Sequence, residues 1–436
     1  MQRTAQKGGE PALLAAQFLD LAFGNLFRFL RDISFRKEER GPVSWGFVGT
    51  LLLVLVYGLI MLFSASYVTA YYRFDDIYYY IAPQAIVALI GIAAMFLISN
   101  INYHALRHVF WHLYILLLAL LVLALYSEPQ NNCHRWVYLF GTSLQPSEIA
   151  KFAVVLGIAL FSDKHYQQRK SLWYGLLLPL LPVVPILVLL RMEPHNSAIL
   201  LICAIAGTML LCGGCGLRWM PLAAATGLGG LYFMLTAEGN DVANERLGAW
   251  GLFAESDVDL GWQTTQSLYS IASGGLTGRG IGNSLQKHLW LPEATNDFIF
   301  SIVCEELGFL GALLCVLLFA ALILQGIFIA LRAPDYFGTM IGIGITAQVA
   351  WQVFCHIGVV TATLPNTGIS LPFFSSGGTS LLLLLCEMGV LLSISRAGNA
   401  RIAAQRKQNQ QQLYARLHSG QGETGRRVYR RREHTV

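Results

Sequence analysis

The chain has 436 residues, 55% hydrophobic and 13% charged, with a formal net charge of +5. Soluble domains carry roughly 25% charged residues, so the composition excludes a soluble enzyme and requires an integral membrane protein. The positive balance sets topology and builds a basic tail, and nothing in it calls for a nucleic-acid partner.

The first ten residues are polar, and the Leu/Phe-rich stretch that follows is interrupted by Asp20 and Arg28, so no cleavable signal with an unbroken apolar region is expected. From Pro11 onward, Leu14, Phe18 and Leu21 recur at helical spacing among Asp20, Arg28, Arg31 and Asp32. This predicts an amphipathic helix on the membrane surface, or docked on another protein's membrane segment, within a cytoplasmic extension of residues 1–44. Apolar runs long enough to span, about 17–25 residues, fall near 45–66, 78–99, 108–126, 148–163, 172–191, 196–213, 217–237, 299–325, 338–363 and 379–395. The expected fold is therefore an all-α integral membrane protein of about ten transmembrane helices, residues 45–396 forming the membrane domain. Residues 397–436 form a Gln- and Arg-rich basic tail with too little apolar content to fold alone, expected to be disordered beside anionic lipid.

Lys and Arg set the orientation. With both termini in the cytoplasm, seven of the thirty lie before residue 45, ten from Arg396 onward and six in the cytoplasmic loops. That leaves six outside, plus Lys151 within a helix. The large loop between the seventh and eighth spans, about 238–297, is then extracytoplasmic, as is the loop from Ser127 to Pro146. Of the eight cysteines, all but Cys133 lie in or beside apolar segments. Cys212 and Cys215 form a CxxC without a second ligand pair, so packing is the better reading than zinc.

Three outer loops concentrate polar residues. The first reads NCHRWVYLFGTSLQPSEIAK. Pro146 and Ser147 open a helix whose first turn carries Glu148 and Lys151, spaced so that they can meet. Ser147 and Glu148 could serve only as helix-end residues. Lys151 is harder to explain that way, because an ammonium inside a span calls for a partner or a polar cavity. The second loop contains Gly278, Gly280 and Gly282, which match no nucleotide-binding spacing and follow no strand, so they read as backbone turns. It ends in LPEATNDFIF, where Pro292 and the apolar run from Phe298 hold Asp297 at the membrane boundary. Glu305 and Glu306 point about 100° apart on the helix that follows, so they cannot form one acid–base pair, and at least one should brace the fold. The third loop, LPNTGISLPFFSSGGTS, is a turn-rich re-entrant segment with Pro365, Gly368, Pro372, Gly377 and Gly378. His134, His195, His288 and His356 lack metal-ligand spacing, so no dedicated metal site is expected.

These motifs closely resemble the SEDS family of cell-wall polymerases, which contains FtsW, RodA and SpoVE. The resemblance spans about 45–396 and rests on Arg135-Trp136 followed by QPSExxK (Gln145 to Glu148, Lys151), Glu193-Pro194, GxQxxQS (Gly261, Gln263, Gln266, Ser267), the run from Leu291 to Gly308, and the run from Leu364 to Ser380. The last of these is closer to the FtsW/SpoVE branch than to RodA. Departures from the family pattern are His195, Ser376 and His356, where an Asp, a Tyr and an Asn are usual.

The resemblance implies a peptidoglycan glycosyltransferase that polymerises lipid II on the outer face of the cytoplasmic membrane, in division or shape maintenance, with the septum as one place of action. It puts the catalytic carboxylate on Asp297 and substrate contacts on Arg135, Trp136, Glu148, Lys151, Gln263, Glu293 and Ser375, with Arg246 and Lys287 as further cations for the pyrophosphate. Glu193, Glu305, Glu306, Gly377 and Gly378 would support the site. A magnesium or manganese ion could assist at the pyrophosphate, without a dedicated protein cage. The implied partners are membrane lipids and a class B penicillin-binding protein. Two other classes of function remain open on the residues: a lipid II transporter, whose indispensable charges would lie near the membrane midplane, and a division scaffold, for which only partner contacts would matter.

Overall fold

The structure, a computed structural model, describes residues 40–127, 135–139, 142–193, 195–219, 221, 225 and 259–432. The amphipathic segment before residue 40, most of the seventh apolar run (217–237), Arg246, Cys133 and His134 lie outside the described residues. Helices follow the apolar runs. They are α1 (Trp45–Phe74), α2 (Ile81–Ile98), α3 (Leu106–Leu125), α4 (Pro146–Lys164), α5 (Trp173–Met192), α6 (Asn196–Cys212), α7 (Asp259–Gly274), α8 (Ile299–Leu331), α9 (Tyr336–Val360) and α10 (Gly378–Arg432). Seven segments among the described residues are long and apolar enough to cross a membrane: α1, α2, α3 with its preceding turn, α5, α8, α9 and α10 through Tyr414. α6 is a shorter apolar helix, and α4 carries Glu148, Lys151, Asp163 and Lys164. The only strands among the described residues are the short antiparallel pair β1 (Val137–Leu139) and β2 (Thr142–Leu144), with Val137 opposite Leu144. This is the all-α membrane fold expected from the sequence.

The segment 259–274, expected as part of a loop, is the helix α7. Its inner face is built from small hydroxyls that suit close packing: the Ser267 hydroxyl donates to the Val360 carbonyl at 2.7 Å, and that of Ser270 to the Ser301 carbonyl at 3.0 Å. The glycines after it allow backbone contact that a side chain would block. Arg279 and Gly280 donate their N–H groups to the carbonyls of Glu305 and Glu306 at 3.0 and 2.9 Å. A Cβ on Gly278 would lie 2.2 Å from the Glu306 carbonyl oxygen, and one on Gly308 would lie 2.3 Å from the Gly278 nitrogen. Gly308 itself breaks the α8 ladder at φ 67°, which only glycine adopts cheaply.

At the other end of the bundle Asp335 caps α9 by accepting from the Gly338 N–H. It also receives His104 and Arg107, both at 3.1 Å, and the Tyr103 hydroxyl, tying α3 to α9. Burial would raise its carboxyl, but the hydrogen bonds from His104, Tyr103 and the Gly338 N–H, with the charge of His104, outweigh burial and hold it below the usual range. Beyond the bundle α10 continues as helix through Arg432. Ala, Gln and Arg are good helix formers. The extension is exposed from Gln405 to Tyr414, so propensity rather than packing accounts for it.

Candidate active site

Asp297 is half-buried immediately before α8. Its segment is turned rather than helical because Pro292 precedes it and because Glu293 adopts φ 51°. Glu293 is exposed, and its carboxylate accepts from the Asn296 amide at 2.7 Å. The third loop then clamps the backbone beside Asp297. The Ser375 hydroxyl donates to the Asn296 carbonyl at 2.7 Å while accepting from the Leu371 N–H at 2.8 Å, and the Ser376 N–H donates to the Thr295 carbonyl at 3.0 Å. Ser375, expected to touch substrate, therefore spends its hydroxyl on positioning. Gly368 faces the carboxylate directly, since a Cβ there would lie 3.2 Å from Asp297 Oδ2.

The same loop reaches the charged pair on α4. Lys151 Nζ donates to Glu148 Oε1 at 2.8 Å, and the Ser380 hydroxyl donates to Glu148 Oε2 at 2.8 Å. Lys151 is 2% exposed, so the spacing expected to let these residues meet produces a buried ion pair. Gln263 on α7 accepts from the Asn366 amide at 2.9 Å, anchoring the third loop from its other side. Gly377 donates its N–H to Gln84 Oε1 at 3.2 Å, and Gln84 Nε2 returns a bond to the Ser375 carbonyl at 3.3 Å. Gly378 opens α10. Gln84 was missed from the sequence, although a buried Gln inside the apolar run of α2 is the kind of polar residue that needs a partner.

Arg135 and Trp136 are half-buried just before β1. Arg135 acts electrostatically on Glu193, which is fully buried at the end of α5. Burial pushes the Glu193 carboxyl up to about 8, with Arg135 opposing part of the rise. Glu193 is thus placed as a buried support.

Lys287 requires a correction. Expected as a cation open to the pyrophosphate, its side chain is 0% exposed and donates to Glu306 Oε1 at 2.6 Å, with its ammonium 4.6 Å from the Tyr67 ring centroid. Glu306 also accepts from the Ser64 hydroxyl at 2.5 Å. Glu305 accepts from the Ser284 hydroxyl at 2.5 Å and the Leu285 N–H at 2.9 Å, and shares the Ser270 hydroxyl, at 3.1 Å, with the Ser301 carbonyl. Both glutamates therefore brace the loop that leads to Asp297.

The arrangement brings a carboxylate on a rigid platform and a buried ammonium–carboxylate pair to opposite ends of one loop. The family model for the cell cycle proteins FtsW, RodA and SpoVE matches residues 45–400. Stage V sporulation protein E of Bacillus subtilis is 36% identical over 352 residues, covering 79% of this chain and 94% of that protein. The probable peptidoglycan glycosyltransferase FtsW of Bacillus subtilis is 34% identical, covering 82% and 92%. Among solved structures, a chain of a peptidoglycan synthase complex superposes with a TM-score of 0.67 at 24% identity, covering 82% of this chain and 98% of that one. RodA of Thermus thermophilus gives a TM-score of 0.59 at 24% identity, covering 81% and 97%. With its motifs, its helices and these similarities in agreement, the chain belongs to the FtsW/RodA/SpoVE family.

Proposed function

We propose that this chain is a peptidoglycan glycosyltransferase that polymerises lipid II on the outer face of the cytoplasmic membrane, with Asp297 as its general base. The observation that carries this reading is the clamp on Asp297: two serines of the third loop fix the backbone beside it, and Gly368 leaves space at its carboxylate. A base must be held within hydrogen-bond reach of the proton it takes. In the reaction, Asp297 accepts the proton of the acceptor sugar's 4-hydroxyl as that oxygen bonds to C1 of the lipid-linked donor. The bond from C1 to the pyrophosphate oxygen breaks, and undecaprenyl pyrophosphate leaves with the bonding pair. Arg135 and Lys151 are proposed as cations that meet its charge, Lys151 while still held by Glu148, with Arg246 outside the described residues. Trp136 and Glu293 are proposed to contact the sugars. A magnesium or manganese ion is proposed to assist at the pyrophosphate without a dedicated protein cage; among the described residues no three His, Cys, Asp or Glu side chains group to hold one.

Several features support the wider reading. The Lys and Arg distribution supports cytoplasmic termini and an outward-facing Asp297, which a membrane-impermeant thiol reagent tests through cysteines introduced at Gly282 and Lys170. Reaction at Lys170 alone would invert the topology. A likeness to a chain of a peptidoglycan synthase complex studied for polymerization and crosslinking supports a cross-linking penicillin-binding partner of class B, at the septum or side wall.

Transport of lipid II is the second reading, and one observation favours it: Glu387 is buried nine residues into α10, inside a membrane span. Purified protein given lipid II in detergent separates the two. Glycan strands support polymerisation. No strands from detergent-solubilised protein, with lipid II crossing the bilayer in proteoliposomes, would replace it with transport.

A further inference from the structure

The third loop leaves α9 and comes back beside it. It turns at once, the Thr363 hydroxyl and the Leu364 N–H both donating to the Gly358 carbonyl at 2.9 Å. His356, fully buried near the end of α9, then meets the returning strand of loop: its Nδ1 donates to the Ile369 carbonyl at 2.8 Å, thirteen residues downstream. The Ile369 side chain is buried as well, packed with Leu201 of α6 and with Cys355, the residue before His356. Ile369 is therefore held by its backbone and by its side chain.

Ile369 directly follows Gly368, the residue that faces the Asp297 carboxylate. Gly368 sits at φ +69° with its N–H on Asn366 Oδ1 at 3.2 Å, and the Asn366 amide donates to Gln263 of α7 at 2.9 Å. The turn is thus anchored two residues earlier by α7 and one residue later by α9. Glycine is free to take many backbone directions, so these two anchors set the one it takes here. Ser375 and Ser376 fix the backbone behind Asp297, whereas the Gly368 turn bounds the carboxylate itself. The ring chemistry of His356 narrows its part in this. A carbonyl only accepts, so Nδ1 carries the proton. Nε2 is buried with no hydrogen-bond partner among the described residues, and a ring at 0% exposure reaches neither a sugar nor a pyrophosphate.

We propose that His356 is a positioning residue for glycosyl transfer: its Nδ1–H fixes the Ile369 carbonyl and, through it, the Gly368 turn that orients the Asp297 carboxylate. His356 touches no substrate and moves no proton. It acts through the backbone of the third loop. This rests on the polymerase reading.

Asn and Gln separate this role from packing, because the amide nitrogen of Asn can stand where Nδ1 stands and that of Gln where Nε2 stands. Gln is the closer of the two to His in volume, so a ring that only fills space favours Gln. The test is steady-state polymerisation of lipid II by purified protein at matched folded concentration, with thermal unfolding measured alongside. His356→Asn is expected to keep kcat within about threefold of wild type. His356→Gln is expected to lower kcat roughly ten- to hundredfold while KM stays within about threefold, the scale of a misplaced catalytic group. His356→Leu donates from no position, takes the place of the Gln variant should that one fail to fold, and should show the same loss. An Asn variant no more active per folded molecule than the Gln or Leu variant overturns the proposal, as does a difference confined to the unfolding temperature. The polymerase reading then still stands on wild-type activity. An inactive wild type overturns both.

Discussion

Replacing Lys287 by Met tests whether the ammonium is a brace or a substrate contact. The change keeps most of the side-chain length and deletes one charge of a pair whose members are both fully buried at 2.6 Å. Glu306 would retain the Ser64 hydroxyl at 2.5 Å and the Ser284 N–H at 3.4 Å, too little to offset an unpaired buried charge. Breaking a buried pair from one side costs about 3–5 kcal/mol, whereas removing both charges together is often near neutral. Lys287→Met should therefore lower the unfolding temperature in detergent and the yield of folded protein, as should Glu306→Gln. The double variant Lys287→Met/Glu306→Gln should recover much of the loss, a coupling that a double-mutant cycle isolates. Activity per folded molecule should change little for any of the three. A Lys287→Met protein with wild-type stability and a large loss of turnover would refute the brace and return this lysine to the substrate.

Gly368→Ala should reduce polymerisation roughly tenfold or more, because its Cβ would lie 3.2 Å from Asp297 Oδ2 at a backbone φ of +69° that disfavours alanine by about 1–2 kcal/mol. Turnover at matched folded concentration checks this, and wild-type activity would show that the carboxylate has room to spare. Glu193 predicts a pH dependence. Burial raises its folded value from 4.5 to about 8, so the folded state holds the proton that the unfolded chain releases. Its contribution to stability is greatest below the unfolded value, and falls by about 1.4 kcal/mol per pH unit from there to the folded value. Glu193→Gln should therefore stabilise the protein at pH 8 relative to wild type and have little effect at pH 4.5, read from unfolding temperatures at both. Equal differences at the two pH values would contradict it.

The spans were legible because an apolar run of that length has few other uses, and α1, α8 and α9 follow the hydropathy closely. Asp297 and the Glu148–Lys151 pair were legible for a second reason, that charge at a membrane boundary needs an account. Pairings across the chain were not. Lys287 read as a free cation because nothing local shows that Glu306, on another element, closes over it. Ser375 read as a ligand group because a hydroxyl beside glycines gives no sign that a carbonyl 79 residues away will accept its proton. α7 was hidden by its composition, since a helix that packs through Gln266, Ser267 and Ser270 reads as a polar loop segment. Glu387 was visible as a lone carboxylate among leucines, and its demand for a partner was the signal that went unused.

The most direct test of the account is lipid II polymerisation by purified Asp297→Asn beside wild type. Asn keeps the size of the side chain and cannot take the hydroxyl proton, so turnover should fall by about 10²- to 10⁴-fold with folding and membrane insertion intact. Turnover of the Asn variant within about threefold of wild type would contradict the assignment of Asp297 as the base.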